Sequence, residues 1–466
     1  MNLEPNFETY ETNKIINRFG NEKAFIEFLE QNILEFLSSE QRKNMLIGEE
    51  YYKGNHDILK RKRTIIGKDG NKEEIDNLPN NRIVDNQYAR IVDQKNSYLL
   101  SKPITIYCDD ENFMNSINKI CGKSFYSLIK NIGEDCINCG IGWIYIFFDE
   151  NGNISFKRFK PYEILPIWED EEHTLLECLL RIYNIENYDF NNKNITTQVE
   201  LYTKSGVQYY ILDDKKLILD KSKGFKPYIY NSYNFPLSWN KIPVVSFKFN
   251  SKEIPLIKRV KTLQDSLNTI RSDFMNNMQE DARNTILVLK NYDGTNLSEF
   301  RKNLSEYGVV KVKTIDGNEG GVESLKVDID SNNYEVLARA LKKAIIENAR
   351  GYDCKDDKMG QNPNQMNIQS AYADIDLDAS LMETEFQASF EMLFWFIKKY
   401  FTYIYKKDFN NIDIDVIFNK DILINETEAI NNCVKSMGII SKETIISMHP
   451  WVSNIKQEIN KLKNEK

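Results

Sequence analysis

The chain has 466 residues, 41% hydrophobic and 12% aromatic, which suits two to four domains with real cores and excludes a disordered chain. A net charge of −8 and a pI near 5.4 exclude a protein that grips nucleic acid through a broad basic face, though not one that handles DNA without gripping it. Seven scattered cysteines and the polar opening MNLEPNFETYETNK point to a soluble intracellular protein without a signal peptide.

Residues 22–45 read as an amphipathic helix, with Phe25, Phe28, Leu29, Ile33, Leu34 and Leu37 on one side. Residues 55–81 are a polar segment with Gly-bearing and Pro-bearing turns, the pattern of an exposed hairpin or arm. A helix over 85–100 is stopped by Ser-Lys-Pro, and another spans 125–139. Gly140 and Gly142 end that helix and launch two strands around an Asn-Gly turn. Strand-like runs then fill 161–250, so the first 250 residues predict an α+β unit with a largely antiparallel sheet.

The texture then changes. Leu256, Val260, Leu263, Leu267, Ile270, Phe274 and Met278 alternate at spacings of four and three, a narrow stripe on a helix over 254–283, roughly 40 Å long at about 1.5 Å per residue. Residues 285–330 predict a small α/β insert, and helical pattern resumes with Tyr334, Leu337, Leu341 and Ile345. This is a knob carried on two struts. A polar stretch, DCKDDKMGQNPNQMN over 353–367, separates the second strut from a long apolar helix over 368–407. Lys398 and Lys399 interrupt the most apolar part of that helix, which predicts burial and not a membrane span. An alternating strand, IDIDVIF, and a helical region over 426–466 close the chain.

Few residues suggest chemistry. Cys136 and Cys139 have metal-ligand spacing, but no second pair completes a site and the chain holds three histidines, so core thiols are the better reading. Gly122-Lys123-Ser124 lacks the earlier glycine and strand of a phosphate-binding loop. Asp413 and Asp415 alternate with Ile412, Ile414 and Val416, a solvated strand face unless further acids converge into a two-metal nuclease site. Lys60-Arg61-Lys62-Arg63 reads as a solvated arm, with phosphate or an acidic partner as the alternative. The acids Asp353, Asp356, Asp357, Asp374, Asp376, Asp378, Glu383 and Glu385 crowd the polar stretch and the helix after it. They are either a macrodipole-favoured helix start or a wall that repels phosphate.

In order, EYYKGNHDI, NNRIVDNQYARIVDQKNSYLLSKPI, CGIGWIYIFFDENGNISFKRFKPYEILPIWED, IPVVSFKFN with LQDSLNTIRSDFMNNM, and the terminal INETEAINNCVKSMGIISKETIISMHPWVSNIKQEINKL resemble the portal proteins of tailed bacteriophages, in the SPP1-like family. The resemblance covers nearly the whole chain. It departs after the polar stretch, where NMNIQSAYADIDL places Gln369 at the position of the family's glycine.

The resemblance implies an α+β portal-type fold: a wing over 1–251, stem helices over 252–283 and 331–352, a clip over 284–330, a tunnel loop over 353–367, a long wing helix and return strand over 368–425, and a crown over 426–466. It implies Lys355, Lys358, Met359, Gly360, Gln361, Asn362, Asn364, Gln365 and Asn367 as the loop facing a DNA channel, with Leu256, Val260, Leu263, Leu267, Ile270, Phe274, Leu337, Leu341 and Ile345 packing the stem. The implied assembly is a homo-oligomeric ring, usually of twelve, at one capsid vertex. Its implied partners are double-stranded DNA, the major capsid protein and scaffold, the terminase large subunit and a head–tail adaptor at the clip. No membrane, cofactor or catalysis is implied, and the protein belongs in the virion after assembly in the host cytoplasm. The alternatives are a metal-dependent nuclease using the IDID acids, or another phage structural component such as a baseplate or scaffolding protein.

Overall fold

The computed structural model describes residues 22–66, 70–74, 76, 78–189, 192–230, 236–237, 239–281, 286–290, 321–325, 331–353, 365–405, 408–420, 426–452, 458–459 and 461–462. In chain order its elements begin α1 (Glu22–Ser38), α2 (Glu40–Tyr52), β1 (Thr64–Ile66), β2 (Lys72–Glu74), α3 (Gln87–Leu100), β3 (Thr105–Tyr107), α4 (Glu111–Ile120) and α5 (Lys123–Cys139). Strands follow: β4 (Ile141–Phe148), β5 (Ile154–Phe159), β6 (Ile164–Trp168), β7 (Leu176–Asp189), β8 (Asn192–Tyr202), β9 (Gly206–Asp213), β10 (Lys216–Leu219), β11 (Phe225–Pro227), β12 (Ile229–Tyr230), β13 (Pro236–Leu237) and β14 (Val244–Lys248). Then come α6 (Ile257–Asp281), β15 (Ile286–Lys290), β16 (Gly321–Leu325), α7 (Ser331–Asn348), α8 (Gln365–Tyr405), β17 (Asp415–Ile417), α9 (Glu426–Lys435) and α10 (Lys442–Met448). The fold is α+β. It divides into two compact units, one of residues 1–54, 87–261 and 346–466, the other of residues 55–86 and 262–345.

In the first unit, β14–β4–β5 form an antiparallel sheet in which Val244 faces Tyr145 and Trp143 faces Phe159. A second antiparallel sheet runs β10–β9–β8–β7–β6, with β11 added on β9. Alternation sends Trp143, Phe159, Ile164, Leu179 and Tyr202 into one core with Met45 and Cys139. Leu29 and Ile33 of α1 cover Cys178, Leu180 and Val199 in a second. The expected helix over 22–45 is two helices, because Ser39 adopts an extended backbone and its Oγ accepts the Arg42 N–H as an N-cap.

Two glycines fix how α5 sits. Gly140, at φ 87°, turns the chain into β4, and a Cβ there would lie 2.0 Å from the Glu253 carbonyl oxygen. A Cβ on Gly48 would lie 2.0 Å from the Asn138 carbonyl oxygen, so α2 and α5 touch backbone to backbone.

The apolar half of α8 is buried on several sides. Phe386, Phe390, Leu393, Phe396 and Ile397 are each 0% exposed, and Phe247 of β14 meets Phe386 and Phe390 edge-on at 5.0 and 5.5 Å. Among the described residues no helix is long and apolar enough to cross a membrane. After α8, β17 pairs antiparallel with β3, Val416 facing Ile106.

In the second unit, β1 pairs antiparallel with β2 over three residue pairs, and β15 pairs with β16, Val288 facing Glu323. The short helix and strand expected between β15 and β16 lie outside the described residues. Phe274 of α6 meets Tyr334 of α7 at 5.1 Å, and Asn277 donates to the Tyr334 hydroxyl at 3.0 Å.

Candidate functional site

The loop residues Lys355, Lys358, Met359, Gly360, Gln361, Asn362 and Asn364 lie outside the described residues. Gln365 and Asn367 fall in the first turn of α8. What the structure displays is how the chain is held on either side of that loop, and α3 does most of the holding.

After α7 the chain turns at Arg350, whose φ of 51° is left-handed, and the Gly351 N–H donates back to the Ile346 carbonyl at 2.8 Å. Gln94 of α3 then takes the backbone of Tyr352 from both sides. Its Nε2 donates to the Tyr352 carbonyl at 2.7 Å and its Oε1 accepts the Tyr352 N–H at 2.9 Å. One turn earlier on α3, Arg90 pairs with Asp353 at 3.6 Å. Lys95, beside Gln94, donates to the Arg350 carbonyl at 3.0 Å.

The returning side is held by the same helix. Tyr372, in α8, stacks on Tyr352 at 4.5 Å and on Tyr98 at 5.7 Å, so one ring joins the two sides of the loop to α3. The Tyr98 hydroxyl donates to Asp376 at 2.9 Å, and Lys420, beyond β17, reaches Asp376 at 2.8 Å and Glu383 at 3.3 Å. Burial works to raise the Asp376 carboxyl, but Lys420 and Tyr98 outweigh it and hold it low.

Asp378 is the centre of charge. It is 3% exposed and meets Lys95 at 2.9 Å, Arg259 at 2.6 Å and Arg350 at 2.9 Å. Burial would raise its carboxyl, yet Lys95 and Arg259 together keep it below the usual carboxylate range. Three cations share one buried carboxylate, and only the lysine can yield a proton. Burial, opposed by Asp378 and aided by the two guanidiniums, pushes the Lys95 ammonium down to about 8.

The acids of the sequence therefore separate. Asp353, Asp376, Asp378 and Glu383 are spent on cations of the same unit, whereas Asp374 stays exposed. Those four hold the loop's two ends and do not form a free acidic wall. The macrodipole reading does not hold for these acids, since the first turn of α8 carries none and Asp374, Asp376, Asp378, Glu383 and Glu385 all lie further along the helix.

The helix stripe is placed unevenly. Leu256, Val260, Leu267 and Ile345 are buried, Leu263, Ile270, Phe274 and Leu341 are half-buried, and Leu337 is 49% exposed. The face of α6 sealed most completely is instead polar. Gln264, Asn268, Ser272 and Asn276, each four residues apart, are all 0% exposed. They dock the strap that precedes α3. Asn276 Oδ1 accepts the Asn81 N–H at 2.7 Å, Ser272 Oγ the Ile83 N–H at 2.9 Å, and Asn268 Oδ1 the Asp85 N–H at 3.0 Å. Gln264 donates to the Asp85 carbonyl at 2.8 Å, and Lys342 pairs with the Asp85 carboxylate at 2.9 Å. The four-residue spacing was present in the sequence, but a search for apolar periodicity passes over it.

The other sequence candidates resolve simply. Cys136 and Cys139 are both 0% exposed, and the Cys136 thiol lies 3.2 Å from the Phe247 carbonyl oxygen. Gly122 is the N-cap of α5, directly after α4. In the basic run Lys60 pairs with Asp57, Arg61 with Asp273 at 2.6 Å and Lys62 with Glu74 at 2.7 Å. Asp413 and Asp415 are exposed while Ile412, Ile414 and Val416 are half-buried, the alternation of a solvated face. No group of three or more His, Cys, Asp or Glu among the described residues could hold a metal ion.

Fold and site together define an α+β protein in which α3 holds the chain on both sides of residues 354–364. The chain belongs to the family described as phage portal protein, SPP1 Gp6-like, whose sequence model matches residues 21–466. It is similar to the portal protein of Bacillus phage SPP1, 27% identical over 427 residues that span 90% of this chain and 83% of that relative. It is also similar to the portal protein of Clostridium phage phiCD119, 27% identical over 431 residues that span 90% of this chain and 91% of that relative. The family's role is that of a portal in the phage capsid for DNA packaging, which makes the protein a structural component of the virion.

Proposed function

We propose that the protein forms a closed ring, of twelve copies as is usual for such portals, at one capsid vertex, and that double-stranded DNA passes through it during packaging and ejection. Residues 1–251 form the wing, 252–283 and 331–352 the stem, 284–330 the clip, 353–367 the tunnel loop, 368–425 the long wing helix and return strand, and 426–466 the crown. The clip meets a head–tail adaptor, the wing and crown meet the major capsid protein and scaffold, and the terminase large subunit supplies the packaging energy from outside the ring. The protein itself performs no catalysis.

The observation that carries this reading is the fixing of both loop ends on α3, through Gln94, Lys95 and Tyr98. A loop with fixed ends can lean on a moving polymer without pulling its helices apart. Its Asn, Gln and Gly offer adaptable, weakly charged contact. Native mass measurement of the purified protein tests the ring: a multiple of the subunit mass is expected, and a monomer under every condition overturns it. Deleting Gly360 to Asn364 should leave that mass unchanged and reduce DNA retention in an in vitro packaging reaction. Loss of the ring on deletion would make the loop an assembly element.

A further inference from the structure

We infer that Gln94 is a positioning residue: by gripping the backbone of Tyr352 it sets the direction in which the chain leaves α7 for the loop, and through that it governs DNA retention. The functional half rests on the conduit reading; the geometric half does not.

The contact is unusual in what it reads. Gln94 meets both backbone polar groups of one residue, at 2.7 and 2.9 Å. A side-chain amide in this pose imitates a neighbouring β-strand, fixing the orientation of the peptide planes as well as their position. Lys95 adds a single bond to the backbone nearby, donating to the Arg350 carbonyl at 3.0 Å. Together the two side chains fix the backbone on either side of Gly351. Ordinary packing holds rings and leaves peptide planes to follow. Here the peptide groups are held directly, and the ring stack on Tyr372 is added to them.

Position along α3 supports the assignment. Arg90, Gln94 and Tyr98 recur every four residues and so share one face of the helix. All three contact the loop's ends: Asp353, Tyr352, and Tyr372 with Asp376. Gln94 is the middle one, and it bonds to the backbone of Tyr352. It is half-buried, so replacing it opens no large cavity.

The test uses the assembled full-length protein and two variants. In Gln94→Leu both bonds are gone, and hydrogen exchange of the 350–353 amides should speed up by roughly tenfold or more, since two typical hydrogen bonds together amount to about an order of magnitude or more in an opening equilibrium. Ring mass and helix content should stay as in the parent. In Gln94→Glu the introduced carboxylate can still accept the Tyr352 N–H but faces the Tyr352 carbonyl with no proton to donate. Exchange, corrected for intrinsic rate, should therefore lie between the parent and Gln94→Leu at pH 7 and slow again in acid, where the protonated carboxyl restores the donor. A merely space-filling role would give no such reversal. DNA retention in a packaging reaction should fall in both variants at pH 7. Unchanged exchange in Gln94→Leu, or no acid rescue in Gln94→Glu, overturns the positioning role. Fast exchange with normal retention, where the Gly360–Asn364 deletion does impair retention, overturns its link to DNA. A deletion without effect on retention instead overturns the conduit role of the loop, and that link with it.

Discussion

Asn268 and His56 meet at 2.8 Å between Nδ2 and Nδ1, and the other bonds of Asn268 decide which one donates. Its Oδ1 accepts the Asp85 N–H at 3.0 Å and the Gln264 amide at 3.0 Å, so the nitrogen side of the amide must face the imidazole. His56, 0% exposed, therefore accepts at Nδ1 and carries its proton on Nε2. A long-range proton–nitrogen spectrum should show that tautomer. Asn268→Asp removes the donor and should move the proton to Nδ1; an Nδ1–H signal in the parent protein would sink the assignment.

The Asp378 cluster predicts a pH effect of definite sign. The folded Lys95 value of about 8 lies below the ordinary 10.5, so between those values the unfolded chain holds more protons. Stability relative to Lys95→Met should therefore rise with pH in that window. The gain from pH 7 to 9.5 is about 2 kcal/mol, at about 1.4 kcal/mol per proton per pH unit. Denaturant midpoints of the two proteins at both pH values measure it, and a parent stability that falls with pH relative to Lys95→Met would contradict the burial argument.

Removing the carboxylate is a harsher change. Asp378→Ala leaves Lys95, Arg259 and Arg350 facing one another, and should cost about 3–5 kcal/mol, the range for a buried pair with one partner deleted. Asp378→Asn retains acceptor geometry for one cation and should cost less. Equal losses in the two variants would show that packing, not charge, holds the site.

Tyr352 and Tyr372 should be coupled across the loop. In a double-mutant cycle to leucine the double variant is expected to lose roughly 0.5–1.5 kcal/mol less than the sum of the two single losses, because each single change already breaks the stack. Additive losses would mean that the stack at 4.5 Å does not tie the loop's ends.

Ser272→Ala deletes the acceptor for the half-buried Ile83 N–H and should cost about 0.5–1.5 kcal/mol, the net worth of one such bond. Strap release should follow as faster proteolysis near Arg82. Thr at this position keeps the oxygen and should restore resistance.

Much of this was legible in the sequence, and the remainder has physical reasons. The apolar residues of α8 and the strand alternation of β4 and β5 announced burial, because hydrophobic periodicity reports burial directly. The break at Ser39 was missed because Ser-Glu-Gln-Arg can cap a helix only if the chain turns there, which depends on packing against distant strands. Gln94 and Lys95 carried no local signal, and Asp378 stood out only as one of a crowd of acids. Their meaning depends on partners some 255 to 283 residues away, and a lysine on a helix ordinarily faces water. The polar residues at 264, 268, 272 and 276 had a regular period, but only the strap they bind gives that period a use.

That period also limits how much strap α6 can bind. Four residues of helix advance about 6.0 Å, whereas two residues of extended chain advance about 6.6–6.8 Å. The two scales slide past one another by more than half an ångström per rung, like a vernier. Three rungs stay within hydrogen-bond tolerance: Asn81 on Asn276, Ile83 on Ser272 and Asp85 on Asn268. At the fourth, Gln264 turns back to the Asp85 carbonyl. The mismatch acts as a molecular ruler. A strap lengthened by two residues would have no further rung to occupy, and one shifted by two would leave a polar side chain of α6 sealed in without a partner.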